Sequence, residues 1–303
     1  MSPQVATPKA EHALLTRNPI MLPEIIDVHM HCFTGRQHAD AVRIDIDRLS
    51  QAGVRNLVVV GMVNTHLDTC EMWKLIPDFV ENRGNQHFYE VDDLLELTRV
   101  SNRVIVPLID TRHLWGEVAP ALEGYLARGF KGIKGIYLAD DGNDIGVRGV
   151  PETLGITLEQ YQRREWEICA FAEAHDLPLL YHLDARRHGD VMTALLNDFP
   201  RLRVEFAHLG IGRKSFAAIL ERYANVFTDF AGMLPHIRSN PASYRDFFMR
   251  YPDRVCFASD ALLYQADTIF DYIGMVKELK LPEEVEAQIF SGNAVRFLGR
   301  ALE

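Results

Sequence analysis

The chain has 303 residues, 48% of them hydrophobic and 24% charged, a balance that excludes a disordered or fibrous protein and permits one sizeable core. Lys plus Arg is 32 and Asp plus Glu is 42, leaving a net charge of −10, so nucleic acid and anionic membrane surfaces are not expected as partners. Cys32, Cys70, Cys169 and Cys256 are scattered without a CxxC pair, so neither a disulfide framework nor a thiolate zinc site is indicated, and the set suits a reducing cytosol.

Residues 1–20 read as a flexible leader without the apolar core of a signal peptide, and no later run of about 18 apolar residues offers a membrane span. A cytoplasmic protein is expected, with residues 21–303 forming one domain. Short runs rich in Ile, Val and Phe predict strands at Ile25 to His31, Asn56 to Met62, Val104 to Asp110, Phe130 to Tyr137, Pro178 to Leu183, Arg203 to Leu209, Val226 to Gly232 and Arg254 to Asp260. Amphipathic segments at helical spacing lie between them: Ile46 to Ala52, Val118 to Arg128, Leu158 to His175, Val191 to Phe199, Lys214 to Tyr223 and Ala242 to Tyr251. Two closing helical pieces are expected in Leu281 to Leu298.

Eight alternations of strand and helix, with nearly continuous apolar strands, predict an α/β fold in which a parallel sheet closes as a (β/α)8 TIM barrel. No GxGxxG follows the first strand, which removes the commonest reason to prefer an open dinucleotide-binding sheet. The long connections Val63 to Arg103 and Leu138 to Gly155 follow strands two and four. In a barrel they become rim loops on the catalytic face.

The chemistry gathers at strand C-termini. The first strand ends Asp27-Val28-His29-Met30-His31, where period-two alternation points both imidazoles into the barrel mouth to face one metal ion. The fifth, sixth and eighth strands close with His182, His208 and Asp260, which a closed barrel can bring together. A His-rich set with a carboxylate suits zinc, with manganese or iron as alternatives.

As a set, these motifs resemble the amidohydrolase superfamily, in its amidohydrolase-related branch, which also contains aminocarboxymuconate-semialdehyde-type decarboxylases. The closing Ser291-Gly292-Asn293-Ala294 with Arg296 and Leu298 resembles that branch's C-terminal segment. The resemblance implies that His29, His31, His182 and Asp260 surround one divalent metal, with His208 beside it. Asp260 would take the proton of the attacking water and return it to the leaving group. His208 would hydrogen-bond the carbonyl oxygen or developing oxyanion. Asp27 is expected one layer deeper, as a metal contact or an orienter of a histidine.

Lys134, in Gly132-Ile133-Lys134-Gly135, has two readings. Carboxylated, it would bridge a second metal, as in two-metal members of the superfamily; unmodified, it would bind a substrate carboxylate. Arg186, Arg213 and His113 are further candidates for substrate contact. Cys32 is turned away from the ion by alternation. The expected function is metal-dependent hydrolysis of an amide, ester or lactone bond in a small carboxylated molecule. The rivals are a non-oxidative decarboxylase of an unsaturated or aromatic acid on the same ligand set, and a barrel that only binds. The His208-Leu209-Gly210-Ile211-Gly212-Arg213 turn departs from the decarboxylase pattern and favours hydrolysis. The resemblance also implies a homo-oligomer.

Overall fold

The computed structural model describes residues 24–32, 38–61, 73–76, 90–112, 114 and 116–303. The leader of residues 1–20, His66, Cys70 and His113 lie outside the described residues.

Parallel strands succeed one another around the sheet in chain order: β1 (Ile25–His31), β2 (Val54–Gly61), β3 (Ile105–Asp110), β4 (Gly132–Ile136), β5 (Leu179–His182), β6 (Val204–Phe206), β7 (Val226–Asp229) and β8 (Val255–Cys256). Helices alternate with them: α1 (Ala39–Gln51), α2 (Glu90–Val100), α3 (Val118–Arg128), α4 (Val150–Leu154), α5 (Leu158–Ala174), α6 (Ala185–Asp198), α7 (Arg213–Arg222), α8 (Leu234–Ser239), α9 (Pro241–Arg250) and α10 (Ala266–Glu278). The chain closes with α11 (Glu283–Ala287) and α12 (Asn293–Leu298), the two helical pieces anticipated there. β8 meets β1 through Val28 N–H to Phe257 O (3.1 Å), Asp260 N–H to His29 O (3.0 Å) and His31 N–H to Ala261 O (3.0 Å). The sheet is therefore a (β/α)8 barrel.

Strands such as Val54–Gly61 are apolar on both faces because each face meets a core. An inner core of Val58, Val60, Val106, Leu108, Leu180, Phe227 and Cys256 is joined by Phe297 and Leu298 of α12. An outer core between strands and helices takes Ile25, Met30, Cys32, Leu57 and Val59. Cys32 thus packs on the outer side, as alternation requires. Helix starts are set by local chemistry: Thr157 and Gln160 form a reciprocal capping box on α5. The Asp184 carboxylate accepts from Arg186 N–H and starts α6 six residues before the amphipathic pattern begins.

Two departures from regular geometry shape the rim. Between Asp27 and Met30, three steps of β1 face two of β2, from Leu57 to Val59. This β-bulge re-aims His29 while leaving Asp27 at the β1–β8 junction. β6 ends at Phe206, short of the predicted Leu209, because His208, Leu209, Gly210 and Ile211 all have positive φ, at 56, 54, 63 and 59°. A left-handed residue other than glycine costs about 1–2 kcal/mol, and three of these four carry that cost.

Ile211 is only partly buried, so Ile211→Gly relieves strain at little loss of packing. It is expected to raise Tm by about 2 °C, measured by calorimetry.

Candidate metal centre

The site forms where the β1 bulge meets the ends of β4 to β8. His29 is oriented from behind: its Nδ1 lies 2.9 Å from Asp229 Oδ2, which assigns the proton to Nδ1 and leaves Nε2 as an acceptor. That acceptor meets Lys134 Nζ at 3.0 Å. His31 Nε2 lies 3.2 Å and His29 Nε2 3.8 Å from Asp260 Oδ1. One ligand atom from each of His29, His31 and Asp260 falls within 4.8 Å of the other two. The imidazoles form a row, with ring centroids 5.3 Å apart from His31 to His29, 5.1 Å from His29 to His208 and 5.1 Å from His208 to His182.

Three of the four expected ligands converge in this way. The fourth, His182, presents Nε2 to the Asp144 carboxylate at 3.1 and 3.2 Å. Asp260 takes φ of 61°, and β8 ends at Cys256 rather than continuing to it. Gly232, at φ of 67°, makes room beneath: a Cβ there would stand 3.3 Å from Asp260 Oδ2 and 3.6 Å from His208 Nδ1.

His208 is held by its own backbone and ring. Its N–H donates to Asp229 Oδ1 at 2.7 Å, and Nδ1 lies 2.7 Å from Ala231 O. The carbonyl accepts, so Nδ1 carries a proton and Nε2 is an acceptor in the neutral ring. The expected hydrogen bond to a substrate oxygen therefore requires the imidazolium, whereas the neutral ring can only accept. Asp27 serves the strand junction: Oδ1 accepts from His29 N–H (3.2 Å) and Ser259 N–H (3.3 Å), and Oδ2 accepts from Ser259 Oγ at 2.6 Å. It braces His29 through the backbone.

Burial sets the protonation states. It lowers His29 well below the ordinary 6.5, with Lys134's charge adding to the effect. It lowers His31 and takes His182 to about 4 against the hydrogen bond to Asp144. Buried imidazoles are thus neutral and able to offer a lone pair. Burial also pulls Lys134 down to about 8 against nearby Asp229 and Asp260, and pushes Asp27 up to about 7. Asp260 goes the other way. Burial would raise it, but the His31 hydrogen bond and the proximity of His29 and His208 hold it well below the carboxylate range.

Two arginines expected at the substrate are engaged elsewhere. Arg186 Nε and Nη2 clamp Asp184 at 2.9 and 2.7 Å. Arg213 donates to Ser243 O and Oγ, both at 2.8 Å, with its guanidinium 4.0 Å over the Tyr244 ring. Sequence reasoning missed Asp144, Asp229 and Arg112. Arg112, 2% exposed, grips Asp110 and donates to Leu75 O at 2.6 Å, fastening the β2–β3 connection to the rim. Asp229 could have been found, because Val-Phe-Thr-Asp closes an apolar run with a carboxylate just as the other strands do.

Eight parallel strands carry histidines and an aspartate at their C-terminal ends, where His29, His31 and Asp260 could together hold a divalent ion. The chain belongs to the amidohydrolase family, whose sequence profile matches residues 26–300. No protein of curated function matches it. An uncharacterized TIM-barrel protein of Bordetella bronchiseptica superposes with a TM-score of 0.61 at 14% identity, over 92% of this chain and 100% of that one. The probable 2-pyrone-4,6-dicarboxylic acid hydrolase of Acinetobacter baumannii, solved with citric acid bound, gives 0.61 at 14% identity over 91% and 99%. A lactonase of Listeria monocytogenes gives 0.56 at 10% over 92% and 95%.

Proposed function

We propose that the protein is a metal-dependent hydrolase that uses water to cleave an amide, ester or lactone bond in a small molecule. The observation that carries this reading is the meeting of His29 Nε2, His31 Nε2 and Asp260 Oδ1, with Asp229 fixing the His29 tautomer from behind. Two neutral imidazoles and an ionised carboxylate are a donor set that fits a borderline divalent ion such as zinc, and a carboxylate behind a ligating histidine is its usual support. His29, His31 and Asp260 would hold the ion, and His182 would join them once it leaves Asp144 and its Nε2 proton moves to Nδ1. Bound there, it would supply the positive charge that acidifies a water and polarises a carbonyl.

The remaining work falls to the chain. Asp260, ionised throughout the neutral range, accepts a proton from the attacking water and returns it to the leaving group. His208, fixed by Ala231 and Asp229, presents Nε2 to the reacting carbonyl, donating when protonated. Lys134 donates to the same Nε2 lone pair that ligation by His29 requires, so the two uses of that atom exclude each other. We assign one ion. A second requires carboxylation of Lys134, for which burial provides an amine held near 8.

The names of the structural relatives, a pyrone-dicarboxylic acid hydrolase and a lactonase, agree with carbonyl hydrolysis. The direct test is turnover of a panel of small lactones, esters and amides in 18O-labelled water. One labelled oxygen in the product acid, lost on chelation and restored by zinc or manganese, is expected. Carbon dioxide release from aromatic or unsaturated acids, with no label incorporated from the panel, would overturn the reading in favour of decarboxylation.

A further inference from the structure

We propose that Asp144 is a specificity-determining residue of this site, a carboxylate held over the mouth that selects a substrate bearing a cationic group near the bond to be cleaved. The inference rests on the hydrolase reading and deepens it by naming the substrate class.

The loop that carries Asp144, between β4 and α4, is built to hold it. Gly142 N–H donates to Asp140 Oδ1 at 2.8 Å, and the Asn143 amide donates to Asp140 O at 3.0 Å and Val147 O at 2.8 Å. Gly149 N–H donates to Asp141 Oδ1 at 2.7 Å. From α6, Arg187 reaches across to both Asp140 oxygens at 3.0 Å and to Gly142 O at 2.6 Å. Arg148 N–H donates to Lys74 O at 3.1 Å, tying the loop to the β2–β3 connection. Asp140 and Asp141 are spent in this scaffold, on Arg187 and Arg148. Asp144 instead reaches His182, with its side chain 26% exposed.

The charges around it point the same way. Arg112, Arg186, Arg187 and Arg213 are occupied by Asp110, Asp184, Asp140 and Ser243 respectively. When His182 gives Nε2 to ligation, the scaffold keeps Asp144 in place without that donor. With the His182 donor gone, an ammonium or amidinium of a substrate replaces it with a charge-assisted hydrogen bond. A substrate carboxylate in the same place would meet Asp144 and Asp260 together. The expectation of a carboxylated substrate then rests on Lys134, at the other end of the site, because Arg186 and Arg213 are engaged by Asp184 and Ser243.

The test is a matched pair of probes, 6-aminohexanamide and adipamic acid, titrated calorimetrically into the protein as purified and into Asp144→Asn and Asp144→Glu. The wild-type protein is expected to bind the amine about tenfold or more tighter than the acid, roughly the effect of one charge-assisted hydrogen bond. Asp144→Asn should narrow the ratio to about threefold or less, and Asp144→Glu should restore part of it, with metal content and circular dichroism unchanged. Equal or tighter binding of the acid, an unchanged ratio in Asp144→Asn, or no binding of either probe would overturn the proposal. The p-nitrophenyl esters of 6-aminohexanoic and adipic acids separate the two readings: absence of turnover with the binding ratio intact removes hydrolysis and leaves the selectivity of Asp144 standing.

Discussion

Asp260→Asn is expected to lower kcat by about 10³-fold on any ester or lactone the enzyme turns over, within the range ascribed to a lost general base, while Tm and the circular dichroism spectrum stay near those of the wild type. Asparagine keeps the size of the side chain and one oxygen, but it cannot take up a proton. The native carboxylate is kept in its ionised, proton-accepting form against burial by its neighbours, first by the hydrogen bond from His31, 3.2 Å from Oδ1. A variant retaining more than about a tenth of wild-type kcat would remove Asp260 from proton transfer.

Asp229→Asn is expected to weaken metal binding by about 10–100-fold and to lower stability by about 1–3 kcal/mol, read by chelator competition and thermal unfolding. Asp229 is fully buried and accepts three hydrogen bonds, from His29 Nδ1, His208 N–H at 2.7 Å and Ala231 N–H at 3.1 Å. An asparagine can satisfy the two backbone donors through its oxygen only by turning its NH₂ toward the Nδ1 proton of His29. Either His29 flips its tautomer, placing the proton on the nitrogen that should ligate, or a buried donor goes unpaired. Unchanged metal affinity in a folded Asp229→Asn protein would mean that His29 is oriented by something else.

The barrel was legible because its signal is repeated: eight apolar runs, six of them followed by a helical period, leave few alternatives, although α2 and α10 lie in stretches with no helix expected. Placing His29 and His31 on one side by alternation gave the right neighbours, although the β1 bulge intervenes and sets Asp27 apart at the β8 junction. What escaped the sequence depends on distant partners. Nothing around Asp144 in Asp140-Asp141-Gly142-Asn143-Asp144 indicates that His182, 38 residues away, receives it. The left-handed turn at residues 208–211 is equally hidden, because Leu209 and Ile211 carry no preference for positive φ and only Gly210 hints at it. Arg186 and Arg213 looked available in sequence because arginine signals capacity for an anion, while occupancy by Asp184 or Ser243 is a property of the fold.

The measurement that bears most directly on the central claim is the metal content per chain of protein purified without chelator or a metal-binding tag, compared with His29→Ala. About one equivalent of a divalent transition metal in the wild-type protein, lost in a folded His29→Ala variant, is the predicted result. Wild-type protein that carries no metal and takes none up when zinc or manganese is added would contradict it.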